Sequence, residues 1–64
     1  MATDEEIINT IRDMTAPGYP VGLHTLKAAV LTKDRGRVEE IIRSMARYGE
    51  LEEIKRDRFK KTRN

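Results

Sequence analysis

The chain has no cysteine, no tryptophan and only three aromatic residues, Tyr19, Tyr48 and Phe59. Without thiols there is no disulfide framework and no thiolate metal ligand, so a chain of 64 residues must hold itself together by packing or by association. The three aromatics are too few and too scattered to form a base-stacking platform for single strands. No apolar run approaches the roughly 18 to 20 residues of a membrane span, and the acidic opening Asp4-Glu5-Glu6 is the reverse of a signal peptide's basic leader. A cytoplasmic protein is expected, nucleoid-associated if prokaryotic, with no membrane partner.

Catalytic constellations are also missing. The single histidine, His24, has no second histidine or cysteine to share a zinc ion with, so a solvent-facing or helix-start position is expected and a metal site is not. Thr25 beside it has no acid partner at a defined spacing, and there is no glycine-rich phosphate loop. A domain this small offers little concave volume for a substrate. The sequence therefore points to a protein that works by binding, with no cofactor and no small-molecule substrate.

What is present is charge, at 38% of residues, balanced against 38% hydrophobic residues. Such a chain supports one small core, and its helices and strands must divide cleanly into apolar and charged faces. Net charge is only +2, but its distribution is uneven. Residues 1 to 22 and 49 to 54 are acidic. Residues 23 to 48 carry Lys27, Lys33, Arg35, Arg37, Arg43 and Arg47, and residues 55 to 64 carry Lys55, Arg56, Arg58, Lys60, Lys61 and Arg63 against Asp57 alone. Positive charge thus gathers in two places.

Thr3-Asp4-Glu5-Glu6 reads as a capping box, in which the Thr3 hydroxyl accepts from the Glu6 amide and the Glu6 carboxylate reaches back to Thr3. Ile7, Ile8, Ile11 and Met14 follow on one helical stripe, and Ala16-Pro17-Gly18 ends the helix. Tyr19-Pro20-Val21-Gly22 suits a brief extended stretch at a sheet edge. Leu23, Leu26, Ala29 and Val30 predict a second, short helix, with Gly22 or Thr25 as its cap, and Thr32-Lys33-Asp34-Arg35-Gly36 a turn. Val38, Ile41, Ile42 and Met45 define a third helix, with Gly49 in the place of a left-handed C-terminal cap. Beyond it, Leu51 and Ile54 are three apart as in a helix, but a hairpin turning at Arg56-Asp57 explains more. It would set Ile54 opposite Phe59, Glu53 opposite Lys60 and Glu52 opposite Lys61.

Helix, short strand, helix, turn, helix, hairpin is the order of a winged helix. The segment Val38-Glu39-Glu40-Ile41-Ile42-Arg43-Ser44-Met45-Ala46-Arg47-Tyr48-Gly49-Glu50-Leu51 resembles the end of that fold's third helix running into its first wing strand, with Met45, Gly49 and Leu51 in the characteristic apolar and glycine places. The element order also loosely resembles the winged-helix tails of archaeal replicative helicases. The resemblance implies an α+β, mostly α, three-helix winged helix-turn-helix over residues 1–62 with a C-terminal β-hairpin wing, followed by a flexible basic tail, 63–64. It also implies double-stranded DNA binding, in transcription regulation or replication.

In a helix-turn-helix the third helix enters the major groove, with its first residues nearest the base edges and the wing beside the backbone. On that map Lys33, Arg35 and Arg37 fall at the turn and helix start, Arg43 and Arg47 opposite the apolar stripe, and Lys55, Arg56, Arg58, Lys60 and Lys61 on the wing. Arg35 and Arg37 oppose the helix dipole, which favours a functional reason for them. Arg43 has Glu39 four residues before it and Glu40 three before, enough for a solvated salt-bridge face. Glu39 and Glu40 are the main objection to DNA, because carboxylates on a groove-facing helix repel phosphate. They keep a protein partner or homodimer open as the alternative, and structured RNA would use the same basic surface.

Overall fold

The computed structural model describes residues 3–62; the Arg63-Asn64 tail lies outside the described residues. Three helices and three strands follow one another as α1 (Asp4–Thr15), β1 (Val21–Gly22), α2 (Leu23–Ala29), α3 (Arg35–Arg47), β2 (Leu51–Lys55) and β3 (Arg58–Lys61). The strands form one antiparallel sheet in the order β1-β3-β2. This is the expected winged-helix-like arrangement, α+β and mostly α, with the hairpin as the wing.

Local chemistry sets each boundary. The Thr3 hydroxyl oxygen accepts from the Glu6 amide at 3.2 Å, as the capping box requires. The Glu6 carboxylate returns to the Thr3 hydroxyl, which donates to it at 3.2 Å, so the reciprocal contact is to the side chain. Helix α3 starts two residues before the sequence places it. Asp34 accepts from the Arg37 amide at 3.0 Å, and this cap draws Arg35 and Gly36 out of the expected turn and into the first helical turn. At the other end of α3 the Glu50 amide bonds the Met45 carbonyl and the Gly49 amide bonds the Ala46 carbonyl, with Gly49 at φ 86°. That is a Schellman stop.

Buried Ile7 and Ile11 of α1, Leu26 and Val30 of the α2 region, Val38, Ile41, Ile42 and Met45 of α3, and Leu51 and Phe59 of the hairpin form the core. Phe59 is fully buried, so the hairpin is sealed onto the helices by one aromatic ring. Burying a side chain of this size contributes about 1.5–3 kcal/mol. Thr15 is also buried, its hydroxyl donating to the Ile11 carbonyl at 2.9 Å.

The hairpin register differs from the sequence expectation by one residue. The turn does fall at Arg56-Asp57, with Asp57 at φ 61°, a left-handed conformation that aspartate tolerates. But Glu53 stands opposite Phe59, Glu52 opposite Lys60 and Leu51 opposite Lys61, with an irregularity between Glu53 and Lys55. Ile54 is therefore an unpaired bulge, 43% exposed. The reason is parity. In a strictly alternating strand Leu51 and Ile54 point to opposite faces, so pairing Ile54 with Phe59 would turn Leu51 outward and Glu52 toward the helices. The extra residue restores Leu51 and Phe59 to one inward face.

Candidate nucleic-acid interface

Helix α3 presents its solvent side through Gly36, Glu40, Arg43 and Arg47, which recur at helical spacing opposite the buried stripe of Val38, Ile41, Ile42 and Met45. The ten basic residues expected to bind nucleic acid divide into two sets once their partners are known.

Three of them have partners within the molecule. Arg35 donates to the Lys27 carbonyl, an acceptor at the end of α2 that the capping Val30 amide reaches only at 3.4 Å. Arg37 forks onto the Asp4 carboxylate and reaches Glu40 at 3.6 Å, so it clasps the start of α3 to the start of α1. The Arg37 hydrogen bonds hold the Asp4 carboxyl below its ordinary range. Both arginines thus have structural reasons to sit in an unfavourable first turn.

Arg43 is the most connected of the three. It donates to Asp57 at 3.0 Å and to Glu39 at 3.2 Å, lies 3.9 Å from Glu53, and its guanidinium carbon sits 5.9 Å from the centre of the Phe59 ring. Lys27 reaches the same Glu39 at 3.2 Å. Hydrogen bonds from Lys27 and then Arg43 push the Glu39 carboxyl below its usual range, and Asp57 and Glu39 raise Arg43 in turn. The result is a chain of charges, Lys27, Glu39, Arg43 and Asp57, that fastens α2 and α3 to the wing tip. The Glu53 carboxylate also accepts from the Asp57 amide at 2.9 Å. Two of the acidic residues are thus explained: Glu39 of α3 and Glu53 of β2 serve the wing.

The remaining seven, Lys33, Arg47, Lys55, Arg56, Arg58, Lys60 and Lys61, make no ion pair among the described residues. Lys55 and Arg58 are cross-strand partners flanking the turn that carries Arg56, so three cations gather at the wing tip. Alternation along β3 puts Lys60 on the outer side with Arg58 and across from Glu52, while Lys61 shares the side of Phe59, across from Leu51, and is exposed. Lys61 is therefore apart from the tip, near Arg12 and Glu50, which pair with each other. Arg47 lies in the last turn of α3, above a hollow of about 470 Å³ shared with Glu52 and Glu53. Lys33 is exposed in the α2–α3 loop.

Sequence reasoning set His24 aside. The structure places it, exposed, in the first turn of α2 beside the wing tip, where His24, Arg56 and Arg58 line one cleft. No pattern along the chain could have found this, because the neighbours are more than thirty residues apart. Among the described residues no group of three His, Cys, Asp or Glu side chains is placed to hold a metal ion, and no helix is long and apolar enough to cross a membrane. Comparison with protein-family models, with curated proteins and with solved structures finds no match for this chain.

Proposed function

We propose that this chain is a double-stranded DNA-binding module that works by contact and not by catalysis. The observation that supports it best is the partition of cations. The arginines of the first turn and the middle of α3 are satisfied internally, whereas seven basic side chains, five of them on one hairpin, have no ion-pair partner among the described residues. Leaving that many like charges without internal partners on a small domain is a cost that bound phosphate would offset. Arg35, Arg37 and Arg43 set the frame in this reading, and Lys33, Arg47 and the wing cations Lys55, Arg56, Arg58, Lys60 and Lys61 contact the backbone.

The test is a duplex titration at several salt concentrations. With about five phosphate contacts the log-log slope of affinity against salt is expected near −4.5, and the Arg56→Ala, Arg58→Ala double variant should bring it closer to zero by about 2. An equal affinity for a structured RNA of the same length would move the proposal to RNA. The alternative, a protein-binding module or homodimer, draws on Glu40, which is 70% exposed on the solvent line of α3. A slope near zero, or no duplex retained while the chain sediments as a dimer, would overturn the DNA reading in its favour.

A further inference from the structure

Strand β1 runs without a break into α2, and Gly22 pairs with Arg58. One residue on, the Leu23 amide donates to the Asp57 carbonyl at 2.7 Å. This strap brings the wing tip against the start of α2 and leaves a cleft of about 400 Å³ between them, lined by Gly22, Leu23, His24, Lys27 and residues Arg56 to Arg58.

The charges around the cleft are not balanced from within. Asp57 supplies its one carboxylate, and that group is turned to Arg43 at 3.0 Å. Lys27 is bonded to Glu39. His24, Arg56 and Arg58 are left, three side chains rich in N–H donors, with no side-chain partner among the described residues. The larger cavity, about 500 Å³ between α1 and the base of the hairpin, differs in that its Arg12 and Glu50 satisfy each other. A concavity with two guanidinium forks and an imidazole, whose one carboxylate is drawn away to Arg43, suits a tetrahedral oxyanion with several acceptor oxygens.

We propose that the cleft between α2 and the wing tip is a phosphate seat, in which His24, Arg56 and Arg58 converge on a single phosphate group. Resting on the DNA reading, the occupant is one backbone phosphate of the duplex, and the seat fixes where along the backbone the wing comes to rest. His24 then joins the binding surface as a positioning contact that charge counting alone passes over.

Two measurements on the full chain separate this from the broader reading. In the first, inorganic phosphate is titrated into labelled protein and followed by amide NMR. Saturable shifts confined to Gly22, Leu23, His24 and Arg56 to Arg58, and lost in His24→Ala, are expected; shifts spread without saturation over the lysines of β3 would overturn the seat. In the second, His24→Ala, which removes an exposed side chain outside the sheet, is expected to weaken duplex binding about tenfold, the order of one hydrogen bond to a charged group. Arg58→Gln should do the same. Duplex binding that is intact in both variants overturns the seat while leaving the DNA reading in place. A saturable phosphate site in a protein that retains no duplex supports the seat for a small phosphorylated ligand and overturns the DNA reading.

Discussion

Arg43 shows how much a single side chain can be asked to do in a domain of this size. Helical spacing from Glu39 reads it as a surface ion pair, and that pair is present, but Asp57, Glu53 and the face of Phe59 are its other neighbours. Arg43→Met keeps the stem over the ring and removes the charge. The expected result is faster hydrogen exchange at the Asp57 and Leu23 amides with α1 unchanged; equal exchange at those amides would show that the wing tip holds without it. Gly49 is the residue-scale counterpart in the backbone. At φ 86°, with nothing within 4 Å of where a Cβ would stand, Gly49→Ala meets no clash and should cost only the conformational penalty, about 1–2 kcal/mol in urea denaturation.

Among the elements, the hairpin is the informative one. Its two strands and its turn can be read from the one apolar and two opposite-charge pairings that a turn at Arg56-Asp57 allows, but its register cannot. Sequence offers Ile54 as the natural partner of Phe59, and only the third dimension shows that Leu51, beside the end of α3, competes for the same inward face. The helices were legible for the opposite reason: Ile7 and Ile11, and Val38 to Met45, repeat often enough to leave a single solution, and Thr3 and Gly49 mark ends by their own local bonds. Asp34 is the local signal that was overlooked, since a capping aspartate three residues before Arg37 fixes the start of α3. The candidate site was legible as composition, in the basic wing, and illegible as geometry, because the partners of Arg35, Arg37 and Arg43 lie on other elements. The bulge yields a direct prediction. Deleting Ile54 leaves every other pairing in its present register and should cost less stability than Leu51→Ala, which empties a core position at about 2–5 kcal/mol. The reverse ranking in urea denaturation would mean that Ile54 is part of the core.

For the whole molecule, the ion pairs link stability to pH. Asp4 and Glu39 are both held below their ordinary range, first by Arg37 and by Lys27 respectively. A carboxyl whose folded pKa is depressed takes up its proton more readily in the unfolded chain. Its contribution is therefore complete above the ordinary carboxylate range and is lost as pH falls through the lowered folded value. Melting temperature should hold level from pH 7 to about pH 4.5 and fall below that. The Asp4→Asn, Glu39→Gln double variant should start lower at neutral pH and lose less on acidification. An acid profile parallel to that of the unaltered protein would place the acid sensitivity elsewhere.

Strand β2 is the longer of the sheet's two edge strands, paired on one side only. Such an edge is a template on which a second copy can add a strand, and from there a third. The unpaired Ile54 kinks that edge between Glu53 and Lys55, so the irregularity that fixes the register also spoils the edge as a template. The protein without Ile54, more regular and nearly as stable as a monomer, would be the one that clouds on concentration.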